Sequence, residues 1–305
     1  MVMFNTQAPD NQYWIEGIFR IKKTIRVAFD GFSRTDAILV SEKGAFRCEE
    51  WNRQFSGPKY NNQLFRCVLQ PGRKQSGRAY TRLSHAEPIK HLNWNEFKAI
   101  AGIHLPLPDT LQQLSVIVDH LPHPALKRFI LNSLEETKIS IPFFMLPASR
   151  DYHHAYKGGL AEHSLETAQI ARTALMNPSD NDIALIVSAA IFHDIGKVLT
   201  LNEDGSKTTL GRVMRHEQLT LEILAEPLRL LSQEWPDGAT ALRYLLTYTP
   251  EQIKRPLLPC ALALHYADRM STSLSARKKA MEYSQNKPFI STQARGPKSW
   301  FWIPN

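Results

Sequence analysis

Four positions offer ligands for a hard or borderline metal ion. His163 lies on an amphipathic helical pattern, EHSLETAQIARTALM. The adjacent pair His193-Asp194 closes an apolar stretch, IALIVSAAIF, about thirty residues on, and Asp268 lies in ALALHYADRMS. Neighbours on a helix point about 100° apart, so His193 and Asp194 reach one ion only if it sits between their helix and others. A neutral imidazole with carboxylates suits Mn, Fe or Mg, with Zn as the alternative. A buried carboxylate without a partner is costly, and an ion would remove that cost. The chemistry would be hydrolysis: an ion with open positions lowers the pKa of water and takes a phosphate oxygen. The sequence holds no Ser/His/Asp set, P-loop or GxGxxG fingerprint to compete with this.

The ordered set H…HD…D, carried by PASRDYHHAYKGGLAEHSLE, FHDIGK and HYAD, resembles the HD-domain metal-dependent phosphohydrolase superfamily. Within it, the first run is similar to two branches, the YhaM-type 3′→5′ exoribonucleases and the TraI-type domain of MobH-class conjugative relaxases. The likeness covers residues 120–275. It implies that His163, His193, Asp194 and Asp268 are the metal ligands. His216 stands where these families place another His, a ligand for a second ion in two-metal members. YhaM-type members carry a further His on the next helix, where this chain has Tyr248-Thr249-Pro250. One metal site is therefore expected rather than two. Both branches share His153-His154, which implies contact with substrate phosphate or with the hydrolytic water.

Two further side chains are candidates by position. Lys197 follows the HD pair by one turn, where an ammonium could hold a phosphate or screen the site. His265 lies one turn before Asp268 on the same helical face, as a partner of the ligand or a contact of the scissile phosphate. Lys197, His153, His154 and His265 thus form the expected catalytic set.

Helices must position these groups. The pattern from Ser179, with Asp182 three residues later, reads as a capping box, and the body that follows is apolar nearly all round. Gly158-Gly159 permits a tight turn and close backbone approach just before His163. Upstream, LNWNEFKAIAG, DTLQQLSVIVDHL and HPALKRFILNSLEE have helical spacing. Asp109 is the expected N-cap of the second, and Pro124 falls in the first turn of the third. His120 and His123 read as surface or packing residues.

Residues 1–90 are different. WIEGIFRIKKTIRVAF, DAILVSE, GAFRCEEW, NQLFRCVLQ and RAYTRLS read as strands, separated by Asp30-Gly31, Lys43-Gly44, Gly57-Pro58 and Pro71-Gly72. Phe65, Cys67 and Leu69 alternate with Arg66. Five short strands suit a small OB-like barrel. The expected fold class is α+β: a small N-terminal β-barrel followed by an all-α HD-domain helical bundle. The expected domains are 1–90 (nucleic-acid binding), 91–120 (helical linker), 121–280 (HD domain) and 281–305 (tail).

The chain has a net charge of +8, and residues 1–90 hold 15 Lys and Arg against 8 Asp and Glu, seven of those eight charges. A basic β-module beside a phosphohydrolase core points to a polyanion. Basic groove and stacking candidates are Arg20, Lys22, Lys23, Arg47, Trp51, Arg66, Arg73 and Lys74. The expected partner is single-stranded nucleic acid, RNA or DNA, with self-association left open.

With 305 residues, 43% hydrophobic and 22% charged, the composition is that of a globular protein with a sizeable core. No run reads as a membrane span, and the N-terminus lacks the basic-then-apolar pattern of a secretory signal. Cys48, Cys67 and Cys260 form no CxxC pair and read as reduced, buried thiols of a cytoplasmic protein. The terminal Trp300-Phe301-Trp302 cluster reads as packed on the body, with a base-stacking platform as the exposed alternative. Three functions follow in order: a metal-dependent 3′→5′ exonuclease on single strands, a relaxase-type binding or mobilisation protein, and a phosphohydrolase of free nucleotides. A basic module argues against the last, since a mononucleotide needs no extended groove.

Overall fold

Alternating apolar and polar residues build the N-terminal sheet. The computed structural model describes residues 15–29, 32–41, 44–50, 63–73, 77, 79–250, 255–283, 289–291 and 299–302. Its first strands are β1 (Ile15–Phe29), β2 (Phe32–Ser41), β3 (Gly44–Glu50), β4 (Leu64–Arg73) and β5 (Ala79–Pro88). They pair in the order β1-β2-β3-β5-β4, and β1 returns to β4 with Ile15 opposite Leu69, so the sheet closes on itself as a barrel. The ladder between β3 and β5 is parallel and the others are antiparallel. Phe65, Cys67 and Leu69 point inward to meet Phe19, Ile21, Leu39 and Cys48, while Arg66 stays exposed. The β1–β2 register slips between Ile21 and Lys23, and Lys22 at that bulge is exposed.

Two compact units divide the chain: residues 1–104 with 135–141, and residues 105–134 with 142–305. The stretch 91–120, expected as a linker, supplies one helix to each. α1 (Trp94–His104) falls in the first unit and α2 (Pro108–Asp119) in the second. Leu107, not Asp109, is the N-cap of α2. Pro108 opens that helix because its missing N–H would be unsatisfied there anyway, and Asp109 adds a favourable charge in the first turn.

α3 (Pro124–Glu135) and α4 (Thr137–Met145) lead to α5 (Gly159–Thr173) and α6 (Asp180–Phe192). The capping box of α6 forms as the spacing predicts: Ser179 Oγ accepts from the Asp182 N–H, and the Asp182 carboxylate accepts from the Ser179 N–H. Such a cap is worth about 1 kcal/mol. Every residue from Ala184 to Phe192 is buried. Phe192 packs edge-on against Phe129 with centroids 5.5 Å apart. By length and composition alone, Asp180–Thr200 would pass as a membrane span, contrary to the sequence reading. However, 72% of its most apolar window is buried inside the protein, as in a core helix.

Short helices α7 (Lys197–Thr200) and α8 (Thr209–Val213) precede α9 (His216–Ile223), α10 (Ala225–Glu234), α11 (Pro236–Thr247) and the long α12 (Cys260–Tyr283). The helices α5, α6 and α12 pack on one another and carry the candidate ligands. The three cysteines are free and buried. Burial pushes the Cys48 thiol up to about 12, so it is inert as a nucleophile. At the C-terminus, β6 (Phe289–Ser291) pairs antiparallel with β7 (Trp300–Trp302). The aromatic cluster was expected to pack on the body, but Trp300 and Trp302 face solvent, because strand alternation turns only Phe301 toward the protein.

Candidate metal centre

The HD pair sits where α6 ends. His193 is the C-cap of that buried helix, and its Nδ1–H donates to the Ala190 carbonyl at 2.8 Å. In the neutral ring that bond leaves the lone pair to Nε2, which is buried with no hydrogen-bond partner. His163, on α5, is fully buried, and its Nδ1 lies 3.0 Å from the Ser271 hydroxyl. Its Nε2 is likewise without a hydrogen bond of good geometry, although it stands 3.0 Å from Asp268 Oδ1 and 3.5 Å from Asp194 Oδ2. The His193 Nε2 lies 3.5 Å from Asp194 and 3.7 Å from Asp268. Two imidazole Nε2 atoms and two carboxylates therefore converge. His163, His193 and Asp194 each present a ligand atom within 4.8 Å of the others, a cradle that could hold a metal ion. The donor set fits a divalent ion of the Mn, Fe, Mg or Zn kind.

The charges are balanced within the cluster. Burial alone would raise the Asp194 carboxyl, but Lys197 and His193 outweigh it and hold the group well below its ordinary value. Asp268 is held low in the same way, with the neighbouring His163 and His193 imidazoles overcoming its burial. Burial pushes His163 down, so it is neutral. For His193 burial is outweighed by Asp194 and Asp268, which raise it to about 9. In the metal-free protein, His193 is thus the cation that stands in for an ion.

Lys197 Nζ lies 2.5 Å from Asp194 Oδ2, and His216 Nε2 lies 2.8 Å from Asp194 Oδ1. One carboxylate thus ties both ends of the 197–216 excursion. Gly196 permits this, because a Cβ there would collide with the His216 carbonyl. Of the two roles expected of Lys197, holding a phosphate or screening the site, the contact with the carboxylate three residues before it corresponds to the second. His153 and His154 reach the cradle from the preceding loop, each with one ligand atom within 4.8 Å of His163. Burial, with His163 and Lys197 nearby, pushes His153 down to about 3. It is therefore neutral near pH 7. His265 is not drawn in; its ring contacts Tyr266 at 5.5 Å, and it makes no polar contact with the four ligands among the described residues. Where a further His was looked for, α11 ends at Thr247, and the Tyr248 ring lies 6.1 Å from that of Tyr244.

Two residues absent from the sequence reading complete the centre. Ser271 Oγ donates to Glu166 at 2.8 Å, and Glu166 also lies 3.1 Å from His154 Nε2. Glu166 follows His163 by three residues and Ser271 follows Asp268 by three, so helical spacing was the signal that could have found them. His154 has φ of 43° and is held by a bond from its N–H to Ser275 Oγ at 2.9 Å. Its carbonyl lies so close to Gly159 that any Cβ there would collide.

Of the expected polyanion contacts, Arg20, Lys22 and Lys23 lie on β1, Arg47 on β3, and Arg66 and Arg73 on β4. Trp51 and Lys74, and the side chain of Lys23, lie outside the described residues. Lys22, Arg66 and Arg73 are exposed. Arg47 instead pairs at 2.7 Å with the buried Asp36, while its side chain stays 60% exposed.

Comparison with known proteins gives two family matches. Residues 160–273 match the HD domain, and residues 117–180 match a family described as "Putative helicase". Among curated relatives, a 3′-5′ exoribonuclease YhaM of Listeria innocua is 25% identical over 287 residues, 90% of each chain. That of Bacillus subtilis is 24% identical over 272 residues, covering 84% of this chain and 83% of the relative. That of Halalkalibacterium halodurans is 23% identical over 203 residues, which span 63% of its length. No solved structure matches.

Proposed function

We propose that this chain, whose residues 160–273 match the HD domain, is a metal-dependent phosphodiesterase that degrades single-stranded nucleic acid from its 3′ end. One observation carries this reading: the unpartnered Nε2 atoms of His163 and His193 converge with Asp194 and Asp268. These four residues would hold the ion, and His216 would be available to a second. A divalent ion bound there supplies a more acidic water and neutralises charge on the reacting phosphate.

The chain's own groups do the rest. His193 must release its proton to become a ligand, and the bond from its Nδ1–H to Ala190 keeps Nε2 aimed inward. Lys197, whose ammonium lies against Asp194, would screen negative charge at the site. His153 and His154 each have a buried Nδ1 with no partner, suited to accept or relay a proton. The strand order β1-β2-β3-β5-β4 with a parallel β3–β5 pair supports an OB-like barrel. Such barrels bind oligonucleotides on the β2–β3 face and at the β1–β2 and β4–β5 loops. Arg47 on β3 and Arg73 at the end of β4 lie where that mode places contacts. The names of the relatives, all 3′-5′ exoribonucleases, support the polarity and favour RNA.

The test is elemental analysis of the purified protein with a time course on 3′- and 5′-labelled single-stranded RNA and DNA in Mn²⁺. A bound metal with products that shorten from the 3′ end is expected. Metal without turnover overturns the nuclease reading. It would favour the second reading, a mobilisation-type nucleic-acid-binding protein, which the match of residues 117–180 supports.

A further inference from the structure

One face of the β6–β7 hairpin consists of large exposed rings. Trp300 is 66% exposed, Trp302 63% and Phe289 59%. Phe289 stands opposite Trp302, and Ser291 opposite Trp300. The two-residue period puts these four on one side, and Phe301 with the buried Ile290 on the other. Three neighbouring rings in water mark an interaction site.

The hairpin is fastened to the loop that leads into the metal centre. Ser299, next to Trp300, lies with its hydroxyl 2.7 Å from that of Tyr152, and Tyr152 immediately precedes His153. Helix α12, which carries Asp268, packs on β6. Lys279 on α12 donates to the Asp151 carbonyl at 2.8 Å, which holds the same loop from the helix side. The last turns of α12 carry Arg277, Lys278 and Lys279 against Glu282, and Arg150 on the loop, 62% exposed at its side chain, lies 3.5 Å from Asp151.

We propose that Phe289, Trp300 and Trp302 form a stacking platform for successive bases of a single strand whose end lies in the metal centre. The proposal rests on the reading that the substrate is such a strand. Every base has a π-face, so flat exposed rings accept any sequence, and the neighbouring cations suit the phosphates between the bases. An apolar peptide or lipid would use the rings but not the cations. A lone nucleotide would occupy one ring and leave the others bare.

The experiment uses the full chain in EDTA, so that nothing is cleaved, with fluorescein-labelled twelve-residue U and dT oligonucleotides read by anisotropy. W300A and W302A should each weaken binding about 5- to 150-fold, while W300F and W302F stay within a few-fold of wild type. The slope of log affinity against log salt should not change, since no phosphate contact is lost. Melting curves of the Phe variants separate a folding defect from a lost contact. Unchanged affinity in the Ala variants overturns the platform, as does a change in oligomeric state with no change in oligonucleotide affinity. Absence of wild-type binding overturns the platform and the single-strand reading together. Tight binding that depends on these rings, with no turnover in Mn²⁺, overturns only the nuclease.

Discussion

Glu166 governs the tautomer of His163 without touching it. The Ser271 hydroxyl donates its hydrogen to Glu166, and so it must accept from His163 Nδ1–H, 3.0 Å away. His163 is then left with its lone pair on Nε2, toward Asp194 and Asp268. Removing the hydroxyl frees the ring to adopt the other tautomer. S271A should lower the affinity for Mn²⁺ by about 10- to 100-fold, measured by calorimetry on metal-free protein. E166Q should have the same direction of effect, since an amide holds the hydroxyl less strongly than a carboxylate. Wild-type affinity in S271A would exclude this role.

Metal binding should be linked to a proton. His193 is raised to about 9 in the metal-free protein, above the ordinary histidine value of 6.5. A raised pKa contributes stability that is fully present below 6.5 and is lost as pH rises through 9. The melting temperature of the metal-free protein should therefore fall between pH 6.5 and 9. Over the same window Mn²⁺ affinity should rise, with proton release seen as a buffer-dependent binding enthalpy. A binding enthalpy identical in buffers of different ionisation heat would contradict it.

Asp194 carries several partners at once: Lys197, His216, His163 and His193. D194N removes the carboxylate shared by Lys197 and the protonated His193, leaving Asp268 as the counter-charge beside His193. The metal-free variant should lose about 3–5 kcal/mol by urea unfolding, and it should retain no bound metal by elemental analysis. A variant of wild-type stability would mean that the cluster is solvated rather than closed.

The close approach of α5 to the His154 loop depends on Gly159, since a Cβ there meets the His154 carbonyl. G159A should destabilise by about 1–3 kcal/mol, as overpacking does, and should also reduce turnover because His154 moves with the loop. Stability is read from the urea midpoint and turnover from single-strand hydrolysis. Turnover should fall by more than the unfolded fraction accounts for.

On the barrel, Lys22 and Arg66 are exposed on paired or bulged positions of β1 and β4. If each contacts a phosphate, K22A and R66A should each reduce the salt slope of single-strand affinity by about 0.7. Steeper or unchanged slopes would place the polyanion elsewhere.

Much of this centre was legible in residue order because helical spacing acts locally. The capping box at Ser179, the buried apolar body of α6 and the His193-Asp194 pair at its end are all consequences of neighbouring residues. Barrel strands were legible for the same reason, through the two-residue alternation of Phe65, Cys67 and Leu69 with Arg66. What residue order could not decide were contacts between segments distant in the chain. His216 reaches back to Asp194, and Ser271 and Glu166 meet across 105 residues of sequence. The exposure of Trp300 and Trp302 belongs to the same class. An aromatic cluster reads as core by composition, but the pairing of β7 with β6 leaves both rings in solvent. Sequence alone determined which groups could bind a metal; only the packing of α5, α6 and α12 decided which of them face one another, because direction and distance between helices arise when their buried faces interlock.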